Sequence, residues 1–549
     1  NYTTYASYLG DRYQAHLLLS LDHQKQAENG GIINDNYIKH PESITENYSS
    51  SEITTMLSQQ WNRNDHQHIF LTHRYNVGFT RQVPMTEAEK EAKRFAIKSQ
   101  KENEAREAKE RARKEAKRNG MEFDEEEYEE ELRRQASMGR PDSTATVAPA
   151  DTTWMKDEYV PVTSFIHTAK FDNYERLYQA YQAPTDYYAQ EYYTVGRYQG
   201  DSIYDKTRHY ELKNTLAVAM LEGFNKWVKT GLKIFAAHDL RHFSMPDAEG
   251  GFRHFSEQAL SIGGQLSKTE GRTLHYNVTG EFGIVGDDAG EVNVDATADV
   301  NFRLLGDTVK LAASGFFHHG SAPFYIRHYQ SRHYWWDDDL SQVTHTRIEG
   351  LFALQRTKTR LRVAYDNLQN YAYLATSYTV ADDYRRTANA LYARQTSDNI
   401  SLFTAQLMQD FRLGPLNLEA VVTYQKTSHD DILPVPQLNV YGNLYLRFKI
   451  ARVLKCDFGA DIRWFTKYNA PEYVPGIGQY AVQENADARI EIGNYPIVNV
   501  YANFHLKQTR FFVMMSHVNE SDGGNMFLVP HYPINGRVLR LGVSWNFYN

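Results

Sequence analysis

The sequence has 549 residues, a formal net charge of -8 at pH 7 and a mean hydropathy of -0.62. No segment approaches the roughly 18 consecutive apolar residues that a membrane-spanning helix needs. The acidic balance offers no general attraction for nucleic acid, and one cysteine cannot form an intramolecular disulfide. Aromatic residues make up 13% of the chain, with 39 tyrosines, which is a high share for a soluble domain of average composition.

Residues 1–82 are predicted to form the N-terminal strands of a sheet. A strand over 2–9 is followed by a turn at Gly10-Asp11, and a further strand is expected over about 64–82. The sequence therefore predicts that the chain starts directly within the sheet.

Residues 83–159 interrupt the strand pattern with a highly charged segment. Thr86-Glu87-Ala88-Glu89 matches a capping box, and the run rich in Lys, Arg, Glu and Ala after it predicts a helix that continues to Arg118. A short acidic helix is expected over 124–135, before a linker rich in Pro, Thr and Ala. Two hypotheses stay open. The segment is a solvated, self-supporting helix, or residues 86–135 are a docking arm for a periplasmic partner or the cell wall.

Residues 160–549 are predicted to form the remainder of the sheet, in strands of about 10–14 residues that alternate apolar and polar side chains. The pattern is clear over 292–304, 438–449 and 454–464, where one face is apolar and the other carries charge at many positions. Strands of soluble sandwiches average about 5–6 residues, whereas a strand that crosses a bilayer needs about 9–11. The pattern therefore favours an antiparallel transmembrane β-barrel.

The connections between these strands alternate between short and long, as in bacterial barrels with short periplasmic turns and longer outer loops. Tight turns are expected at 305–307, 413–415, 450–452 and 508–509, and long loops at 181–206, 320–343, 370–397 and 469–495. Counting back from the last strand, 538–548, gives about nineteen strands. Because single-chain bacterial barrels have an even number, we predict about 20 strands, with at least one before Asn1, and a periplasmic position for 83–159.

Charged residues on the polar phase of the strands are the candidate functional residues, because a basic residue on the lipid face near the bilayer midplane costs about 2–4 kcal/mol. The predicted lumen-lining residues are Asp295, Asp299, Arg303, Arg360, Arg362, Glu419, Arg447, Lys455, Asp457, Asp461 and Arg463. They line a water-filled lumen, or they pair across the wall and with an inward-folded loop.

The final strand alternates apolar with polar residues up to the end of the chain. Val543, Trp545 and Phe547 on its apolar phase resemble the C-terminal signal that the outer-membrane assembly machinery recognises. An ordinary closing strand with aromatic residues at the membrane interface is the alternative.

His318, His319, His328 and His333 are close in sequence to an aromatic and acidic run, 334–339. They lack the fixed spacing on one element that would make a metal site specific, so a membrane-interface belt is favoured and no metal site is predicted. The sequence has neither a Ser-His-acid constellation nor a nucleotide fingerprint. We therefore expect no enzyme activity and no cofactor.

Several segments resemble one family of Bacteroides-type outer-membrane proteins, the family of putative porins. They are 25–31, 171–174, 444–449, 501–517 and the C-terminal runs 530–536 and 543–549. The resemblance extends over essentially the whole chain, including the charged insert, and it implies a β-barrel in the bacterial outer membrane.

These observations predict a porin-like channel for passive diffusion of small hydrophilic solutes through a charged lumen. The alternative is a plugged barrel that acts as a scaffold for periplasmic or surface partners. The expected partners are outer-membrane lipid and lipopolysaccharide, the barrel assembly machinery during biogenesis, and a periplasmic partner of 86–135. No nucleic acid is expected, and association into oligomers stays open.

Overall fold

The computed structural model describes residues 1–45, 47–118, 128, 134, 154–193, 202–222, 229–271, 273–304, 306–485, 488–520 and 523–546. Two compact units divide these residues, one formed by 1–76 with 163–549 and the other by 77–162. The first unit contains most of a 19-stranded antiparallel sheet. The fold predicted from the sequence is confirmed.

The strands of this sheet follow one another along the chain as β1 (Tyr2–Leu9), β2 (Tyr13–Glu28), β3 (Gln60–Pro84), β4 (Met155–Ala180), β5 (Ile203–Met220), β6 (Gly231–Pro246), β7 (Phe252–Lys268), β8 (Leu274–Gly286), β9 (Val292–Leu304), β10 (Asp307–Gly320), β11 (Val343–Leu354), β12 (Thr359–Gln369), β13 (Ile400–Leu413), β14 (Leu416–Thr427), β15 (Leu438–Ile450), β16 (Leu454–Phe465), β17 (Ile497–Leu506), β18 (Thr509–Ser516) and β19 (Val538–Trp545). Antiparallel registers join consecutive strands from β1 to β3 and from β4 to β19. Strands β3 and β4 also face each other, since Ser164 Oγ donates to Asn76 Oδ1 at 2.6 Å.

The register places the polar positions of neighbouring strands on the same face because side chains directly opposite each other point to the same side of a sheet. On β15 and β16, Arg447 is opposite Asp457 and Asn443 is opposite Asp461. The intervening Leu444 on β15 is 50% exposed and faces the other way. The two phases predicted from the sequence are thus the two faces of the barrel wall, apolar outside and polar inside.

Short turns join the strands at one end of the sheet. Strands β13 and β14 are joined by Gly414 and Pro415, and β17 and β18 by Lys507 and Gln508. Gly414 has a φ of 59° and Lys507 one of 53°, so these turns use the left-handed region that closes a tight hairpin.

Long connections join the strands at the other end, at 29–59, 181–202, 321–342, 370–399, 466–496 and 517–537. Two connections at this end are only five residues long, 247–251 and 287–291, so the alternation of length is less strict than the sequence indicated.

The buried apolar core lies in these long loops rather than between layers of the sheet. A four-stranded sheet is formed by 372–380, 386–395, 479–483 and 472–474. Two short helices, α1 (Asn36–Lys39) and α3 (Phe324–Arg327), also belong to the loops. The apolar face of a barrel strand contacts lipid. Apolar side chains are therefore covered by protein mainly in the loops.

The second unit contains helix α2 (Glu87–Arg118) with the flanking ends of β3 and β4. The predicted capping box is present, because Thr86 N–H donates to Glu89 Oε2 at 2.8 Å and Glu89 N–H to Thr86 Oγ1 at 3.4 Å. Arg94 lies over the Trp154 ring at 5.0 Å. The helix predicted at 124–135 lies almost entirely outside the described residues. No described helix is long and apolar enough to cross a membrane.

The two faces of β15 predict opposite responses to the same new charge. Leu444→Arg is expected to lower the free energy of unfolding by about 2–4 kcal/mol, because the guanidinium faces hydrocarbon. Asn443→Arg is the control, because Glu419 and Asp461 lie directly opposite it on the neighbouring strands. Urea unfolding of the two variants in liposomes measures the difference, and equal losses of stability would contradict the assignment of faces.

Candidate functional site: the charged interior

The candidate site is the polar face of the sheet. The register places all eleven predicted residues on this phase, on strands β9, β12, β14, β15 and β16. Asp299 is opposite Ala312 and His275, and Arg303 is opposite Thr308. Whether these residues line open water is not decided by their phase, and it stays a prediction.

Several of these charges are paired within the wall. Arg447 makes a two-pronged contact with Asp457, with Nε to Oδ1 at 2.8 Å and Nη2 to Oδ2 at 3.1 Å. Glu349 is held by Arg362 at 2.8 Å and by Arg347 at 3.0 Å. Such pairs fix the wall side chains and cancel their charges locally.

The remaining predicted carboxylates also have partners. Asp299 Oδ2 lies 3.2 Å from His275 Nδ1 and 3.6 Å from Lys310 Nζ. Glu419 Oε1 accepts from Tyr445 O–H at 2.8 Å. Asp461 Oδ1 accepts a hydrogen bond from Asn499 Nδ2 at 2.9 Å. Asp295 Oδ1 lies 3.2 Å from His318 Nε2.

Four predicted cations make no ion pair within the described residues, namely Arg303, Arg360, Lys455 and Arg463. Lys455 is directly opposite Lys449 on β15, so two ammonium groups share one position of the wall. Arg303, Arg360 and Lys455 all lie close to the ends of their strands that the short turns connect. Three of the predicted cations that make no ion pair among the described residues therefore lie at that end of the sheet.

Two cavities adjoin this part of the wall. One of about 760 Å³ is lined by Lys310, Arg360, Asp410, Glu419 and Tyr441. The other, of about 340 Å³, is lined by Glu419, Arg447, Asp457 and Arg510 among others. Because Glu419 lines both cavities, they are neighbours on the polar face.

At the opposite end the interior is filled by loop residues. The Phe324 ring stacks on Phe243 of β6, with centroids 3.6 Å apart and an interplanar angle of 5°. Tyr334 and Trp336, from the same connection as Phe324, are buried in the same cluster. Val474, from the connection 466–496, also belongs to it. The long loops thus fold inward and pack against the polar face.

Three buried arginines hold the loops together through backbone carbonyls. Arg176 Nη2 of β4 donates to the Gly476 carbonyl at 2.8 Å and to Asn62 Oδ1 at 2.5 Å. Arg386 donates to the carbonyls of residues 30 and 32 at 2.6 and 3.0 Å, and Arg332 binds the Ser202 carbonyl. Each arginine is less than a tenth exposed, so each joins parts of the chain that are distant in sequence.

The four histidines of 318–333 do not form a cluster. His319 Nδ1 contacts Thr344 at 2.7 Å, His328 Nδ1 contacts Asp337 at 2.6 Å, and His333 Nδ1 lies 2.7 Å from the Gln190 carbonyl. Burial lowers the pKa of His333 to about 4, so this imidazole is neutral.

The interface belt expected for the aromatic run 334–339 is wrong, because Tyr334 and Trp336 are buried within the loop core. Both aromatic loop cores and interface belts concentrate Tyr and Trp, and only the tertiary contacts tell them apart.

The structure brings together one group that the sequence analysis did not select, namely His66, His68 and Asp172. The sequence did contain one indication of this group. His66 and His68 are two residues apart on a strand, so both rings lie on one face. The carboxylate comes from a strand more than a hundred residues later, so its proximity could not be read from the sequence.

On the final strand, Val543 and Trp545 are 65% and 60% exposed, on the apolar phase. Phe547 lies outside the described residues. The exposed apolar side chains are compatible both with a recognition signal and with a lipid-facing strand.

Removal of the Arg176 side chain is expected to loosen the loop 466–496. Arg176→Ala leaves a buried carbonyl and the Asn62 amide oxygen without this donor, at a cost of about 1–3 kcal/mol. Hydrogen exchange of residues 472–483 should become faster. Arg208→Ala is the control, because Arg208 is exposed and, among the described residues, its ion pair is with Glu175 at 2.6 Å, a contact worth about 0.2–1 kcal/mol. Equal exchange in both variants would contradict the role of Arg176.

A family model described as "Putative porin" matches residues 1–549. No curated protein matches the chain. The siderophore receptor PirA from Pseudomonas aeruginosa superposes with a TM-score of 0.52 at 9% identity, covering 100% of this chain and 70% of that chain. The siderophore receptor PirA from Acinetobacter baumannii gives 0.52 at 9% identity, covering 99% and 70%.

A mutant of the ferric enterobactin receptor PfeA from Pseudomonas aeruginosa gives a TM-score of 0.51 at 9% identity, covering 99% of this chain and 80% of that chain. At such identities the likeness concerns the fold. Together with the family match, it places the chain in the bacterial outer membrane.

Proposed function

Because the chain belongs to the family described as putative porin and is an outer-membrane barrel transporter, we propose that it mediates passive diffusion of small hydrophilic solutes. The observation that carries this proposal is the continuous polar face, which turns ionised side chains and two cavities toward the interior. Ionised groups cost least where water reaches them. A wall of this kind therefore suits solutes that keep part of their hydration shell.

The unpaired cations give the channel a preference among solutes. Arg360 lines the larger cavity, and Lys455 faces Lys449 across the strand pair. Rings and rows of like charge at close quarters bias which ion enters a pore. The proposed solutes are accordingly small anions or neutral polar molecules.

Reversal of one unpaired charge tests this preference. Arg360→Glu in a planar bilayer is expected to shift the reversal potential toward cation selectivity, because the substitution changes the interior by two charge units. The shift should fade as salt rises above about 0.1 M, where the screening length is about 10 Å.

Lys426→Glu is the matched control, since it makes the same charge change on the outward phase of β14, where Lys426 lies opposite Phe403. Selectivity that is indifferent to Arg360→Glu at low salt, or that changes equally in the control, would contradict diffusion through the charged interior.

The inward-folded loops favour a second candidate, a plugged barrel that acts as a scaffold. In this conformation the loop core of Phe243, Phe324, Trp336 and Val474 fills the interior at the long-loop end. The channel proposal therefore requires the loops to move. Arg176→Ala should raise the conductance of the channel if the loops are a gate, and a barrel that stays closed in this variant supports the scaffold.

We also propose a partner for the charged insert. Along the chain, the insert takes the place of a short turn between β3 and β4, which in a bacterial barrel is the periplasmic side. Helix α2 is charged on all sides, and a long exposed arm of this kind can bind a periplasmic protein or the cell wall.

A protease applied to intact cells tests the side of the membrane. Cleavage near Glu110 is expected only after the outer membrane is permeabilised, whereas the exposed loop turn at Asp383 should be cut in intact cells. Cleavage near Glu110 in intact cells would mean that the insert is extracellular.

The other expectations about partners follow from the same proposal. The exposed Val543 and Trp545 support recognition of the final strand by the barrel assembly machinery. Lipid and lipopolysaccharide surround the apolar face. We propose transport without catalysis, and no cofactor is needed for diffusion.

A further inference from the structure

Two imidazoles and a carboxylate meet at one point of the polar face. His66 Nε2 lies 3.1 Å and His68 Nδ1 lies 2.6 Å from the same oxygen, Oδ1 of Asp172. All three ligand atoms lie within 4.8 Å of one another, and the described part of the chain contains no other group of three or more His, Cys, Asp or Glu residues this close. The three groups have the types and the spacing of metal ligands.

The sheet itself holds the three groups in place. His66 and His68 are two residues apart on β3, so the pleat turns both rings to the interior. Asp172 projects from the neighbouring β4 and is 8% exposed. Ligands on paired strands are better fixed than ligands on loops. Binding of a metal ion therefore requires little further ordering of these side chains.

The donor set matches first-row divalent transition metals. Two imidazole nitrogens and one carboxylate oxygen bind Zn²⁺ at about 2.0–2.2 Å. In a tetrahedral arrangement, such bonds put the ligand atoms about 3.3 Å apart. The observed contacts of 3.1 and 2.6 Å would open by about 0.2 and 0.7 Å when the ion replaces the protons between the two imidazoles and the carboxylate.

Polar groups surround the three candidate ligands. Lys170 Nζ lies 2.7 Å from Oδ2 of Asp172, which orients the carboxylate and leaves Oδ1 for the ion. On β2, Asp22 is directly opposite His66 and Ser20 opposite His68, and Ser20 Oγ donates to Asp22 Oδ2 at 3.1 Å.

We propose that His66, His68 and Asp172 form a binding site for a divalent transition-metal ion, with Zn²⁺ as its representative, on the interior wall of the barrel. The His66 side chain is 40% exposed, so solvent reaches the ion and at least one coordination position stays open. A site with an open position exchanges its metal with solution, unlike a closed four-ligand structural site. The site goes beyond solute diffusion and does not depend on it.

The test is Zn²⁺ binding to the purified full chain in detergent after treatment with a chelator. Competition with a chromophoric chelator should show one Zn²⁺ per chain, and Co²⁺ should give visible absorption bands of a nitrogen- and oxygen-ligated ion. Asp172→Asn and His68→Gln are each expected to weaken Zn²⁺ binding at least about 10-fold, the smallest loss typical of groups around a bound metal.

His73→Ala is the matched control, because His73 lies on the same strand and on the opposite phase, opposite Ala15. It should bind Zn²⁺ as the unaltered chain does. The heat-dependent shift in gel mobility that reports a folded barrel must be retained in every variant. Absence of Zn²⁺ binding, unchanged affinity in both site variants, or an equal loss in His73→Ala would each overturn the proposal.

Discussion

The constraint on which this structure depends is that every backbone N–H and C=O group in the hydrocarbon layer must be paired within the protein. Antiparallel registers pair the strands in this way from β1 to β3 and from β4 to β19. Once the backbone is paired in this way, the side chains have only two directions. Side chains on the apolar phase contact lipid, and those on the polar phase face the interior of the barrel. The wall therefore has no apolar core of its own.

The loops supply the core that the wall lacks. Their aromatic residues pack on inward groups of β6, and buried arginines tie distant segments to one another through carbonyl oxygens. A guanidinium has five donors in a fixed plane, so one Arg176 can bind Asn62, the segment at Gly476 and Tyr329 at once. Removing such a group from water is costly unless all of these contacts form. The loop arrangement therefore depends on several of these contacts forming together.

The interior wall has regions of different chemistry. Arg360, which makes no ion pair among the described residues, lines the larger cavity near the short turns, whereas β3 and β4 carry a cluster of imidazole and carboxylate groups. Elsewhere on the polar face lie compensated pairs such as Arg447 with Asp457. The polar face therefore differs in chemistry from one group of strands to another.

The sequence by itself determined the class of fold, the two faces of each strand, the short turns and the capped helix after Thr86. These features depend on the period of the apolar pattern, on the length of each strand and on local hydrogen bonds. All three are set by residues that are close in sequence. It also identified Arg447 and Asp457 as inward residues, although not that they pair. Tertiary structure alone decided which charges are compensated, that the 334–339 run is loop core, and that Asp172 meets His66 and His68. Those facts depend on the register between strands distant in the chain and on the inward folding of loops, and neither leaves a periodic trace in the sequence.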